Sequence, residues 1–264
     1  MAFQADGAIL VPIALAVIIG SLGFPVLQDT LKCGRDPSKW TLHTKITVAG
    51  TSVLLAAGFL VIFIAESCNT QTLGPMGWGQ RALNAFFHSA MPRTAGFNSL
   101  DVGALRDETV LFHYGLMFIG GGSAGTAGGI KITTVAVLFV ILIYQVRGRG
   151  EPEMRGHTLS YKLASQAVTV VMLGLSVIFL AAFYLAVRTP HSLTDVLFEC
   201  ISAFATVGLS RGITGKLAGD AQMVLVALMF LVRVGTITAA TWLAMGATGR
   251  GSPARVDGRD PIIG

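Results

Sequence analysis

Two short stretches of the sequence share one pattern. Residues 94–97 read Thr94-Ala95-Gly96-Phe97, and residues 206–209 read Thr206-Val207-Gly208-Leu209. Neither holds an acid, a base or a nucleophile, so any chemistry they do lies in the backbone. Glycine admits φ values closed to other residues, and backbone carbonyls turned toward one path can replace a cation's hydration shell. A lone Thr-x-Gly says little, but these two are related by a shift that aligns much else. Moving the chain by 112 residues sets Phe86 on Phe198, Thr94 on Thr206 and Gly96 on Gly208. The same shift sets Leu116-Met117-Phe118 on Leu228-Met229-Phe230 and Thr126-Ala127 on Thr238-Ala239. One gapless shift with this many matches marks a structural repeat. The plainer reading, two turns between surface helices, fits poorly because the flanks are apolar.

A third stretch, residues 116–134, reads LMFIGGGSAGTAGGIKITT. Gly120, Gly121, Gly122, Gly125, Gly128 and Gly129 crowd an otherwise apolar segment and break any helix through it. Freed backbone groups are tolerated at membrane depth only where they are buried in protein or line a wet cavity. Ser123 and Thr126 can bond such groups, and Lys131 opens the helix that follows. The segment does not fit a nucleotide-binding loop, which needs Ser or Thr after the lysine where this chain has Ile132. A close-packing patch of small residues and the unwound helix of a secondary transporter stay open as alternatives. Arg233, inside the apolar run ALMFLVRVGTIT, cannot shed its proton. It is expected to be buried and to point into the bundle at the depth of this loop.

The elements that would position these residues are helices in lipid. The chain has 264 residues, of which 53% are hydrophobic and 12% charged; soluble domains carry about twice that charge. Five regions are long and apolar enough to span: 8–27, 46–65, roughly 109–145 broken by the glycines, 164–187 and 221–247. Two shorter runs, 78–91 and 192–205, read as re-entrant helices. The order is then span, short helix, Thr-x-Gly loop, span, taken twice. A short helix whose C-terminal end points to the membrane centre favours a cation there.

The net charge of +5 comes from residues clustered in loops. Lys32, Arg35, Lys39 and Lys45, then Arg147, Arg149, Arg155 and Lys162, then Arg250, Arg255 and Arg259 are expected on the cytoplasmic side. No basic stripe with interleaved aromatics suggests nucleic acid. No dinucleotide fingerprint, paired carboxylates or nucleophile–base set points to an organic cofactor or a catalytic residue. Cys33, Cys68 and Cys200 lack metal-site spacing and read as small packing residues. His88 and His113 lie toward the outer side without metal-ligand spacing. Glu66 is expected at an interface, Glu199 either against the filter loop or in water, and Asp101 near the outer mouth.

The segments AMPRTAGFNSLD, FIGGGSAGTAGGIKITT, SAFATVGLSRGIT and RVGTIT resemble the membrane subunit of the Trk/Ktr potassium-uptake family, and the resemblance covers nearly the whole chain. It implies an all-α integral membrane fold of M1–pore helix–M2 repeats around an ion path, with about five spans and two re-entrant pore helices here. Residues 1–44 would be the end of a second repeat, 45–148 the third and 149–264 the fourth, with a cytoplasmic tail. K⁺ would sit at carbonyls of Thr94, Ala95, Thr206 and Val207. Residues 120–129, with Lys131 and Arg233, would form the gate. The family also implies a cytosolic nucleotide-binding regulatory subunit, a homodimer of complete pores, a plasma-membrane location and two further filter strands supplied from elsewhere. The competing expectation is a non-conducting fragment or a structural partner of a complete pore.

Overall fold

The computed structural model describes residues 4–34, 36–148, 152–154, 157–158 and 161–247; at 153–154, 157–158, 161–162 and 235–247 only the backbone is described. The expectations for Arg35, Arg149, Arg155, Arg250, Arg255, Arg259 and the tail beyond 247 lie outside these residues. Nine α-helices carry the described chain: α1 Gly7–Leu22, α2 Phe24–Cys33, α3 Leu42–Glu66, α4 Trp78–Ala90, α5 Asp107–Phe118, α6 Ile132–Val146, α7 Tyr161–Arg188, α8 Leu193–Phe204 and α9 Gly219–Ala247. One small antiparallel pair of strands, Glu153–Met154 with His157–Thr158, departs from the expected all-α content.

Among the described residues two helices, α3 and α7, are long and apolar enough to cross a bilayer, and α1 with α2 would be a third if counted as one bent span. The surface is apolar where it would meet lipid. Val53, Leu60 and Ile64 on α3 and Leu173, Phe179 and Phe183 on α7 are exposed. The interior instead holds Glu66, His88, Arg93, His113 and Lys131. Ionisable groups inside and hydrocarbon outside reverse the soluble pattern and suit a lipid solvent.

The expected span 8–27 is not one straight helix. The helix stops at Leu22, and α2 leaves at 94° to α1. Gly23 has φ 90°, and Pro25 stands in the first turn of α2, where a missing amide costs nothing. A Cβ on Gly23 would collide with the Ser123 carbonyl, so the break is also a docking point for the glycine-rich segment. The third region is broken as expected, into α5 and α6 around loop 119–131. The chain does not break at Arg233, because α9 runs through it.

The repeat reappears in the elements. A 3₁₀ turn at Val102–Ala104 falls on one at Thr214–Lys216 under the same shift, and the start of α5 falls on the start of α9. The shift fails for α3 and α7, because segment 67–77 before α4 is longer than segment 189–192 before α8. The core follows this division. α4 packs with α1 through Leu10, Ala14, Phe87 and Met91. α8 packs with α5, α7 and α9 through Phe198, Ile201, Met117, Ile178 and Leu228.

Gly23→Val is expected to lower thermal stability by about 1–3 kcal/mol, since it combines a left-handed φ with a backbone clash. Gly79→Ala, on α4 with open space around it, should be neutral or stabilise by roughly 0.5–1 kcal/mol. Thermal unfolding of both variants in detergent checks the pair. Equal effects would contradict the packing described here.

Candidate functional site

Both Thr-x-Gly stretches adopt the same unusual backbone. Thr94 has φ 73° and Thr206 φ 52°, and both are left-handed although neither is glycine. Gly96 and Gly208 follow at φ 68° and 88°. Left-handed non-glycine residues are costly and persist only where their surroundings hold them. The two strands face each other. A Cβ on Gly208 would lie 3.6 Å from Gly96 Cα, and one on Gly96 would lie 2.5 Å from the Val207 carbonyl oxygen. A side chain at Gly96 would therefore push directly on the opposite strand.

Each strand hangs from the end of a short helix. After α4, the Ala95 amide donates to Met91 O at 3.3 Å. After α8, the Thr206 amide donates to Ala203 O at 3.0 Å and the Val207 amide to Ser202 O at 2.8 Å. The Ser202 hydroxyl then donates to Leu209 O at 2.6 Å, which ties both ends of that strand to one residue. The last carbonyls of both helices lie at the start of their strands, where the helix dipoles place partial negative charge.

The segments after the strands are held from within the short helices, by different chemistry in the two halves. His88 Nε2 accepts from the amides of Ser99, at 3.2 Å, and Leu100, at 3.0 Å. Asn84 Oδ1 accepts from the Ser99 hydroxyl at 2.6 Å. In the other half, Glu199 accepts from the Arg211 amide at 3.0 Å and from the hydroxyls of Ser210 and Thr214 at 2.6 Å each. Under the repeat shift Ser99 falls on Arg211, so an imidazole and a carboxylate serve the same amide. Arg211 also joins the halves: Nε donates to Asp195 at 2.6 Å, while the guanidinium reaches Val102 O and Gly103 O at 3.4 Å.

The glycine-rich loop is a docked segment rather than a free one. The Gly120 amide donates to Ile130 O at 2.9 Å and the Ile130 amide to Phe118 O at 3.0 Å, closing the base of the loop. The Gly122 amide donates to Ser21 O at 2.7 Å, and the Phe24 amide to Ala124 O at 3.3 Å. The Thr126 hydroxyl donates to Gly20 O at 3.2 Å, Lys131 Nζ to Ala127 O at 2.7 Å, and Ser123 bonds Thr133 at 3.1 Å. The groups freed by one broken helix thus meet those freed by the other. Cβ atoms on Gly121 and Gly122 would strike Ser21 O and Leu22 O, one on Gly125 would lie 3.1 Å from Gly23 Cα, and one on Gly128 would strike Ala205 O. Small residues let the loop sit against both α1 and the second strand.

A cavity of about 540 Å³ lies between loop and strands, lined by Thr94, Thr126, Thr206, Val226, Met229, Phe230 and Arg233. Arg233 Nη1 donates to Thr126 O at 3.0 Å. The residue reaches a carbonyl of the loop, in the direction the sequence suggested, but is exposed to this open cavity and not buried.

Most sequence candidates come together here. Thr94, Thr206, Thr126 and Arg233 share the cavity, and Gly96 and Val207 touch across the strands. Phe97 is 55% exposed while Leu209 is buried, so the fourth positions of the two strands differ in surroundings. Glu66 lies at the end of α3, as its expected place at the end of a span requires, and is fully buried. It accepts from Thr109 Oγ1 at 2.5 Å, Thr72 Oγ1 and Asn69 Nδ2 at 2.6 Å and the Arg106 amide at 3.0 Å, which pins the end of α3 to the start of α5. Asp101 caps the first 3₁₀ turn through the Gly103 amide. Cys200 is buried, but Cys68 is exposed and is not a packing residue. The role of His88 was missed, since no spacing rule links a helix histidine to amides eleven and twelve residues on.

The fold is predominantly helical, with apolar spans. It matches the crystal structure of the potassium transporter TrkH from Vibrio parahaemolyticus with a TM-score of 0.72 at 16% identity, over 90% of this chain and 52% of that one. The chain belongs to the TrkH family, described as cation transport protein, whose profile matches residues 1–247. It is 37% identical to Ktr system potassium uptake protein B of Bacillus subtilis, over 90% of this chain and 53% of that protein. It is 34% identical to the protein of the same name from Vibrio alginolyticus, over 92% and 54%. It is also 34% identical to the potassium/sodium uptake protein NtpJ of Enterococcus hirae, over 90% and 53%. The chain spans about half the length of these relatives.

Glu199→Ala leaves three buried or half-buried donors without their acceptor and is expected to cost about 2–4 kcal/mol. Glu199→Gln keeps one acceptor oxygen and should cost roughly half as much. Thermal melts that rank the two variants the other way would contradict this account of the loop.

Proposed function

We propose that this chain is part of a potassium-translocating pore and carries two of its filter strands and one intramembrane gate. The observation that carries the reading is the pair of left-handed Thr-x-Gly strands facing each other above a cavity. In an extended strand successive carbonyls point to opposite sides. Alternating left-handed and ordinary residues turn them toward one side instead, where they can line a path for a dehydrated cation. Carbonyls of Thr94, Ala95, Thr206 and Val207 are the proposed K⁺ ligands, with Phe97 and Leu209 closing the strands. Relatives named for potassium uptake, and one named for potassium/sodium uptake, support K⁺ as the cargo.

In this reading α3, α4 and the broken α5–α6 pair form one M1–pore helix–M2 repeat within 45–148. α7, α8 and α9 form the next within 149–264, and 1–44 ends an earlier one. That makes about five spans and two re-entrant helices. The complete pore sits in the plasma membrane with the C-terminus in the cytoplasm, pairs with a second pore, and takes a cytosolic nucleotide-binding subunit as regulator. The loop of Gly120–Gly122, Ser123, Gly125, Thr126, Gly128 and Gly129, held by Lys131 and Arg233, lies across the path beneath the strands and moves to open it. The Arg233 charge, in the cavity that Thr94 and Thr206 also line, opposes cation passage while the loop is docked.

Gly96→Ser or Gly208→Ser in the assembled transporter should lower K⁺-over-Na⁺ selectivity roughly tenfold, as expected when about 1–3 kcal/mol of backbone strain displaces a ligand. Unchanged selectivity of both variants in ion-flux assays would sink the filter assignment. Arg233→Ala, and separately deletion of 122–127, should raise K⁺ flux at normal amounts of membrane protein. Less protein and less flux for both would make the loop and arginine structural elements, not a gate.

A further inference from the structure

Two fully buried histidines stand behind the first filter strand, His88 on α4 and His113 on α5. Their hydrogen bonds fix where each proton lies. His88 Nε2 accepts from two backbone amides, so it is bare and its proton is on Nδ1. His113 Nδ1 lies 2.8 Å from Thr109 O, a carbonyl that can only accept, so Nδ1 carries the proton and Nε2 is bare. What remains is one buried donor, His88 Nδ1–H, and one buried acceptor, His113 Nε2, each without a partner among the described residues. The ring centres are 6.4 Å apart at an interplanar angle of 61°. Even if both nitrogens pointed along the line of centres, they would stay beyond the roughly 3.2 Å reach of a direct hydrogen bond. A single water can take the donor on one side and serve the acceptor on the other, and buried waters are held by two to four such groups.

We propose that His88 and His113 hold one buried water between them, and that this bridged pair positions the segment following Gly96. The bridge completes a series of polar contacts, two of them joined through the covalent frame of Thr109. Glu66 accepts from the Thr109 hydroxyl, and Thr109 O accepts from His113. His113 takes a hydrogen bond from the water, the water takes one from His88, and His88 takes the amides of Ser99 and Leu100. The end of α3 is thereby tied to the backbone that follows the strand, with the Glu66 carboxylate at one end and neutral groups beyond it. His113 touches no ion. It acts through His88, as a positioning residue. Under the repeat shift His113 falls on Leu225, an apolar residue, so the device belongs to one half alone. Its effect on transport rests on the filter reading above; the water and the two tautomers do not.

Two experiments separate these parts. The first is ¹⁵N-histidine magnetic resonance of the unmodified chain in lipid, with the five histidines assigned by single substitution. The expected result is two neutral rings, both protonated at Nδ1, with water cross-peaks at both; an Nε2–H tautomer on either ring, or no water contact, overturns the bridge. The second is ion selectivity of the assembled transporter. His113→Phe removes the acceptor, and His88→Gln keeps an oxygen for the amides but loses the Nδ1 donor. Each should lower K⁺-over-Na⁺ selectivity about fivefold, as for one lost buried hydrogen bond, at normal amounts of membrane protein. His113→Gln places an oxygen near the Nε2 position and should restore most of it. Wild-type selectivity in His113→Phe, or no rescue by His113→Gln, overturns the positioning role while leaving the filter assignment untouched.

Discussion

Backbone that leaves a helix inside an apolar solvent must find its hydrogen bonds in the protein, and this constraint shapes the whole molecule. The chain breaks two apolar helices, at Gly23 and at 119–131, and docks the breaks on each other. Ser21 O takes the Gly122 amide, Ala124 O takes the Phe24 amide, and Gly20 O takes the Thr126 hydroxyl. Neither break would be stable alone, because each supplies what the other lacks. The small residues of the loop follow from the same constraint, since a Cβ at several of them would strike a backbone oxygen of the facing segment.

The two Thr-x-Gly strands meet the same requirement in another way. Their backbones are strained at Thr94 and Thr206, and strain of this kind persists only when the surroundings over-determine it. The surroundings are the short helices and the side chains that reach forward from them. His88 with Asn84 holds one following segment, and Glu199 holds the other. One sequence unit, doubled, has kept its backbone geometry while its supporting groups have diverged in charge. Arg211 spans the halves, with a carboxylate on one side and two carbonyls on the other. The spacing between the strands therefore depends on groups well outside them.

Much of this was legible in the sequence because it concerned backbone. Thr-x-Gly twice at one shift, and six glycines in an apolar run, are local signals with a local physical meaning. The fall of the 3₁₀ turns and of α5 and α9 on the same shift agrees with that pattern. The bend at Gly23 within the expected span 8–27 was not read, although Gly23-Phe24-Pro25 is a legible stop and restart; apolarity outweighed it. The burial of Glu66 was not legible because its partners Thr72, Arg106 and Thr109 are scattered along the chain and gather only through the packing of α3 and α5. Arg233 was expected to be buried, and its exposure reflects a cavity that no single helix encodes. His88 was missed for a related reason: a histidine that accepts from two amides looks, in sequence, like any histidine on a helix.

The central claim is that carbonyls of two facing Thr-x-Gly strands bind the transported cation. Anomalous diffraction from crystals of the assembled transporter in rubidium tests it most directly, because rubidium substitutes for potassium and can be located without reference to the protein. The account predicts anomalous density between the strands, within coordination distance of carbonyls of Thr94, Ala95, Thr206 and Val207. Density confined to other parts of the molecule, with the space between Gly96 and Gly208 unoccupied at saturating rubidium, would contradict it.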